Sequence, residues 1–84
     1  MISMNANICH HSILKEGVFL SNGVNFGASI IANENAYIGM GSTIMTGIKQ
    51  LGDNCLVGAG AVVIKDVPAN TIVAGVPAKI IRTK

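Results

Sequence analysis

The apolar residues of this chain recur every six positions. Counted in sixes from Ile2, the first position holds Ile2, Ile8, Leu14, Leu20, Phe26, Ala32, Ile38 and Ile44. After one extra residue near Gln50 the series continues as Leu51, Val57 and Val63. All eleven are apolar in a sequence that is 50% hydrophobic, an outcome of about one in two thousand for random placement in a given frame. The fifth position is as selective: Ala6, Ser12, Val18, Val24, Ile30, Ala36, Ser42, Ile48, Cys55, Ala61 and Val67 are all small or apolar. Glycine gathers at the second position (Gly27, Gly39, Gly52, Gly58), where the pattern predicts a turn needing a permissive backbone. Polar residues such as Glu16, Asn22, Glu34, Asn35, Asp53, Asn54, Lys65 and Asp66 collect at the third and fourth.

A period of six does not describe an amphipathic helix. The fifth position and the first of the next hexad lie two residues apart, so both side chains face one side of a short strand. Positions two to four then form a corner. Three hexads close one triangular coil, and stacked coils make an all-β parallel β-helix with aliphatic ladders inside. Eleven hexads give three to four coils, a prism under about 20 Å tall at ~4.8 Å per coil. An ordinary β-sandwich would instead show two-residue alternation broken by irregular turns.

The frame fails from Pro68, which divides the chain into a β-helix over residues 1–67 and a C-terminal strand and cap segment over 68–84. Pro68-Ala69-Asn70 reads as a turn, Thr71 to Ala74 as a last strand, and Gly75-Val76-Pro77 as a second turn. Ala78 to Lys84 is expected as a short helix or strand covering the open C-terminal end, as solenoids require. The first coil, entered at Ile2, has no comparable cap. That suggests a fragment of a longer protein, or an end covered by a partner.

Composition narrows the class. At 84 residues the chain is one small domain that buries about 60–65% of its extended surface. A charged fraction of 12% and a mean hydropathy of +0.55 exclude a disordered chain, and 4% aromatics without Trp exclude a core built on large rings. The apolar run Val57 to Ile64, glycines included, is far short of the ~20 residues of a membrane helix. Met-Ile-Ser-Met-Asn lacks the regions of a signal peptide, so a cytoplasmic location is expected, with Cys9 and Cys55 as reduced thiols. The net charge of +2 comes mainly from Lys79, Arg82 and Lys84, and without a basic stripe no nucleic-acid partner is expected.

Residues 57–82, "VGAGAVVIKDVPANTIVAGVPAKIIR", resemble the C-terminal signature of the hexapeptide-repeat acyltransferases. Within that group the chain is most similar to the sugar acyltransferases of the sialic-acid O-acetyltransferase type, which include UDP-amino-sugar N-acetyltransferases. "IGMGSTIMTGI", residues 38–48, matches their preceding coil, and "CHHSILKEGVFLSNGVNFGAS", residues 9–29, stands in the place of their catalytic coil. The resemblance implies a left-handed β-helix, a homotrimer, and acetyl-CoA held between neighbouring subunits as acyl donor. It also implies a histidine general base. Full-length relatives carry an N-terminal α/β domain for the sugar nucleotide, which this sequence lacks.

Counting back from Ile38-Gly39, the resemblance places the base at His10, with His11 beside it as a substrate contact. His10 is a third-position corner residue, and imidazole accepts a proton near neutral pH; a solvated corner histidine is the competing reading. Relatives often set a carboxylate beside the base, whereas Cys9 and His11 flank it here. Ala28, eighteen residues on, shares that corner one coil later, and its N–H would stabilise an oxyanion. Phe19 matches a position that contacts acetyl-CoA, though subunit packing would also explain it. Met40, Gly58 and Ala59 line the expected path of the pantetheine arm. Lys79 and Arg82 would meet the CoA phosphates unless they form a solvated basic tail.

Other chemistries fit less well. Trimeric carbonic anhydrases share the architecture but hold a metal on three histidines, and this chain has two, so no metal is expected. "GAGAVV" lacks the Lys-Ser/Thr and helix of a phosphate loop. Cys55 falls at an inward position as core, and a Cys9–His10 pair is disfavoured because relatives transfer the acyl group directly. The reading is an acetyl-CoA-dependent acetyltransferase acting on an amine or hydroxyl of a sugar or nucleotide sugar, with His10 as base. The alternative is a truncated non-catalytic remnant, or a trimerising module joined to a separate sugar-nucleotide-binding chain. A third is an acyltransferase for small hydroxyl acceptors such as serine or maltose.

Overall fold

The computed structural model describes residues 7–9 and 11–84; Ile2, Ala6 and His10 lie outside the described residues. Ten strands are two residues long: Asn7–Ile8 (β1), Ile13–Leu14 (β2), Phe19–Leu20 (β3), Asn25–Phe26 (β4), Ile31–Ala32 (β5), Tyr37–Ile38 (β6), Thr43–Ile44 (β7), Gln50–Leu51 (β8), Leu56–Val57 (β9) and Val62–Val63 (β10). Two longer ones follow, Thr71–Ala74 (β11) and Lys79–Thr83 (β12). Each short strand is the sixth position of one hexad followed by the first of the next. Alternation sends the sixth outward and the first inward.

Every third strand stacks in parallel, making the three faces of a prism. The first face runs β1-β4-β7-β10, the second β2-β5-β8, and the third β3-β6-β9-β11-β12. Partners are eighteen residues apart in the upper coils, as in Asn7↔Asn25 and Phe19↔Tyr37, and nineteen apart beyond the extra residue, as in Ile31↔Gln50 and Thr43↔Val62. Leu20, Phe26, Ala32, Ile38, Ile44, Leu51, Val57 and Val63 are all buried at the first position. The fifth position is buried from Val18 through Val67, with Ser42 the one hydroxyl in that run. Its Oγ lies 2.8 Å from Gly39 O and 2.9 Å from Gly58 O, both within reach of its one proton, so the buried hydroxyl is satisfied.

Two details differ from the sequence expectation. Gln50 keeps the regular sixth-position pairing with Ile31, so the extra residue sits earlier, in the Thr46–Lys49 corner. Ile48 stays inside while Lys49 bulges out. The Asp66 carboxylate accepts the bulged amides of Lys49 at 2.6 Å and Gln50 at 3.4 Å.

The second difference concerns the glycines. Left-handed backbone occurs at the fourth position, at His11, Gly17, Gly23, Ser29, Asn35, Gly41, Gly47, Asn54 and Gly60, not at the second. The second position needs glycine for space. A Cβ on Gly27 would lie 2.6 Å from Thr46 N and 2.8 Å from Ile44 O; one on Gly39 would lie 2.7 Å from Val57 O. Successive coils touch backbone to backbone there.

The segment after Ala78 is a strand, not a helix. β11 pairs in parallel with β9 (Ile72↔Leu56) and antiparallel with β12 (Ile72↔Arg82). The turn before it is held under β10 by Val62 N donating to Gly75 O at 3.0 Å and Ala78 N to Val62 O at 2.7 Å. β12 is exposed along its whole length, so it extends the third face more than it plugs the interior. A hollow of about 310 Å³ lined by Val63, Val67, Val73, Ala78 and Ile80 remains beneath the last coil. Among the described residues no helix is long and apolar enough to cross a membrane.

Candidate active site

The corner between the first and second faces stacks Ala28 over Thr46 and Lys65 at the third position, one residue per coil. Gly27 lets the Thr46 backbone rise against it, and Gly27 N donates to Ile44 O at 2.8 Å. Ala28 N, expected as a donor to an oxyanion, already donates to Thr46 Oγ1 at 3.1 Å. One coil earlier, Cys9 N donates to Phe26 O at 3.0 Å, and Ser12 Oγ donates to Gly27 O at 2.7 Å while accepting Ile30 N at 3.3 Å. These bonds tie the coil containing Cys9 to the coil of Ala28. Beside the corner, on the first face, lies an open hollow of about 270 Å³ lined by Cys9, Asn25, Phe26, Gly27, Thr43, Ile44, Met45 and Thr46. Its floor is apolar, and its polar groups sit at the Thr46 end and along the Asn25–Thr43 ladder.

His11 is exposed with φ 64°, the fourth-position conformation of this corner. The two cysteines are unlike. Cys9 is exposed in the hollow, whereas Cys55 is buried and burial pushes its thiol up from 9.0 to about 11. Cys55 is therefore a protonated core residue at neutral pH and no nucleophile. Among the described residues no cluster of three His, Cys, Asp or Glu side chains could hold a metal.

The expected donor-binding residues collect elsewhere, on the third face and at its corner with the first. Phe19 is half-buried there and stacks on Tyr37, with ring centroids 4.9 Å apart. Met40 and Ala59 are exposed at the corner, where Gly60 N donates to Met40 O at 2.8 Å. The backbone of Gly58 is spent inside the prism, its N–H on Val73 O and its carbonyl on Ser42 and Ala61. Ala59 N makes no hydrogen bond among the described residues. Lys79 pairs with Ala74, which lies across from Gly58, and also lines the hollow beneath the last coil. Met40, Ala59 and Lys79 thus lie toward one corner of the prism and Phe19 on the third face beside it, while Ala28 belongs to another corner. The two-residue strands of the first face separate them.

Sequence reasoning missed Thr46 and Asp66. The signal for Thr46 was available, since it follows Ala28 by one eighteen-residue coil. Asp66 could not be read, because its role depends on where the extra residue bulges.

No protein-family model matches the chain. The galactoside O-acetyltransferase of Escherichia coli K12 is 35% identical over 81 residues, covering 96% of this chain and 36% of that protein. The serine acetyltransferase structure from Brucella abortus strain S19 superposes with a TM-score of 0.87 at 32% identity, over 93% of this chain and 34% of that one. A galactoside acetyltransferase structure in complex with coenzyme A superposes at 0.79 and 27% identity, over 86% and 44%. Over 96% of its length the chain is similar to the hexapeptide-repeat acetyltransferase family. Its fold is the all-β, left-handed parallel β-helix of that family. It spans less than two-fifths of the length of the E. coli relative.

Proposed function

We propose that this chain binds acetyl-CoA and transfers the acetyl group to a hydroxyl or amine of a sugar or nucleotide sugar, as a homotrimer with each site between two copies. The observation that supports this most is the division of the site within one chain. Met40, Ala59 and Lys79, with Phe19 on the adjoining third face, lie on one side of the first face, and the corner with Ala28 lies on the other. Packing the donor edge of one copy against the Ala28 corner of the next would bring the halves together, and Phe19 and Tyr37 offer apolar surface for that contact. A galactoside O-acetyltransferase among the relatives favours a sugar hydroxyl as acceptor. The serine acetyltransferase likeness keeps a small hydroxyl acceptor as an outcome of the test.

In this reading His10 takes the proton from the acceptor as it attacks the thioester carbonyl, with His11 alongside the substrate. The Ala28 corner faces the developing oxyanion. Ala59 N–H, with the small Gly58 beside it, meets the pantetheine amides, and Met40 and Phe19 pack along the arm. Lys79 faces the phosphates. A trimerising module without catalysis, serving a separate sugar-nucleotide-binding chain, draws support from one observation: the Ala28 amide is already satisfied within the chain.

Calorimetric titration with acetyl-CoA across a protein concentration series, with sedimentation in parallel, tests the reading. Micromolar binding near one CoA per chain that appears only with the trimer is expected. His10→Ala should then abolish thiol release in the presence of acceptor while leaving acetyl-CoA affinity nearly unchanged. Absence of binding at millimolar acetyl-CoA, or His10→Ala turning over like the parent, overturns it.

A further inference from the structure

The corner shared by Ala28 and Thr46 holds a hydroxyl that the repeat pattern does not require. Thr46 is exposed at the rim of the 270 Å³ hollow, and its Oγ1 accepts the Ala28 N–H at 3.1 Å. A threonine hydroxyl has two acceptor lone pairs and one proton to donate. With the amide on a lone pair, the proton remains for another partner, and accepting one hydrogen bond strengthens the next one donated. Among the described residues no acceptor takes that proton. The placement is built in: Gly27 allows the close approach of the Thr46 backbone, and Asp66 clamps the bulge that follows it.

We propose that the Thr46 hydroxyl, oriented by the Ala28 amide, is the donor that meets the carbonyl oxygen of the acetyl thioester. This rests on the acetyl-transfer reading above. The acceptor gives its proton to His10, and its lone pair forms a bond to the carbonyl carbon. The carbonyl π pair moves onto oxygen, where the Thr46 O–H stabilises it. Collapse re-forms the carbonyl and breaks the C–S bond, and the CoA sulfur leaves with the proton from the imidazolium.

Thr46 follows Ala28 by one eighteen-residue coil at the third position of the hexad, where the sequence also has His10. The Ala28 amide acts through Thr46 as a positioning group.

Difference infrared spectroscopy of bound acetyl-CoA carrying carbon-13 at the thioester carbonyl tests this without an acceptor. A donor on the carbonyl oxygen lowers its stretching frequency. The parent chain and Thr46→Ser should show the lowered band, Thr46→Val should lose it at similar acetyl-CoA affinity, and His10→Ala should keep it. With acceptor present, Thr46→Val should lose about 10²–10³ in kcat with little change in the KM for acetyl-CoA, and Thr46→Ser should recover most of that loss. The same band position in parent and Thr46→Val, or a Thr46→Val variant as fast as the parent, overturns the Thr46 assignment while leaving acetyl transfer standing. A parent chain that binds no acetyl-CoA gives no bound band at all, and then both readings fall.

Discussion

Gly27→Ala separates the two ways a glycine serves this fold. The new Cβ would sit 2.6 Å from Thr46 N, 2.8 Å from Ile44 O and 2.9 Å from Thr46 Cα, all backbone atoms of the next coil. Ordinary Cβ contacts begin near 3.4 Å, so the coils must part locally by roughly 0.8 Å, judged against the close packing of protein interiors. Two hydrogen bonds cross that gap, Gly27 N to Ile44 O at 2.8 Å and Ala28 N to Thr46 Oγ1 at 3.1 Å. Both would stretch past the useful range of about 3.2–3.5 Å. Losing them costs about 1 kcal/mol each, and residual overpacking adds about 1–2 kcal/mol. The lower chain entropy of alanine in the unfolded state returns ~0.4–1 kcal/mol. The net expectation is a loss of about 2–3.6 kcal/mol. Gly41 is the control: nothing lies within 4 Å of its Cβ position, but its φ is +70°, so Gly41→Ala should cost only about 1 kcal/mol. Urea unfolding followed by circular dichroism, at one fixed protein concentration, reads both. Gly27→Ala as stable as the parent, or less damaging than Gly41→Ala, would refute the packing argument.

Other consequences are smaller. Burial lifts the Cys55 thiol to about 11 from 9.0, so at pH 8 iodoacetamide should label Cys9 in the folded chain and reach Cys55 only after unfolding. The folded state holds that proton more tightly than the unfolded state, so its contribution to stability is complete below about pH 9 and is lost as pH rises through about 11. Melting curves of parent and Cys55→Ala between pH 8 and 11 should show a steeper decline for the parent; parallel declines would contradict it. Ser42→Ala removes a buried hydroxyl bridging Gly39 O and Gly58 O and should cost about 1 kcal/mol in the same unfolding assay.

The fold was legible because interior geometry repeats with the sequence. Leu20, Ile38 and Val57 stack at one inward place on successive coils and must all be apolar, so a count of six finds them without knowing any angle. The glycines were misread for a physical reason. Conformational freedom and lack of room select the same residue, and only coordinates distinguish Gly27, which has no room, from Gly41, which has room but a left-handed backbone. The position of the extra residue was ambiguous too: shifting it between Thr46 and Gln50 leaves every inward ladder intact. Ala28 was named from the coil spacing, while Thr46, which keeps the same spacing, was missed. Their hydrogen bond was not legible, because it depends on the rotamer of Thr46. Phe19 and Ala28, nine apart in the sequence, fall on the third face and on the corner between the first and second.

The reversal at β12 bears on self-assembly. A parallel coil presents its successor with a row of amides and carbonyls spaced to accept another coil, and stacked coils without a terminator are a template for fibres. On the third face the row is occupied by a strand running the opposite way, and Lys79 and Arg82 lie on it. A coil arriving in the direction of the others would meet a strand that runs against it, and a second copy approaching tail to tail would bring like charge against Lys79 and Arg82. Growth through this face is opposed by geometry in the first case and by repulsion in the second, although the hollow beside it stays open.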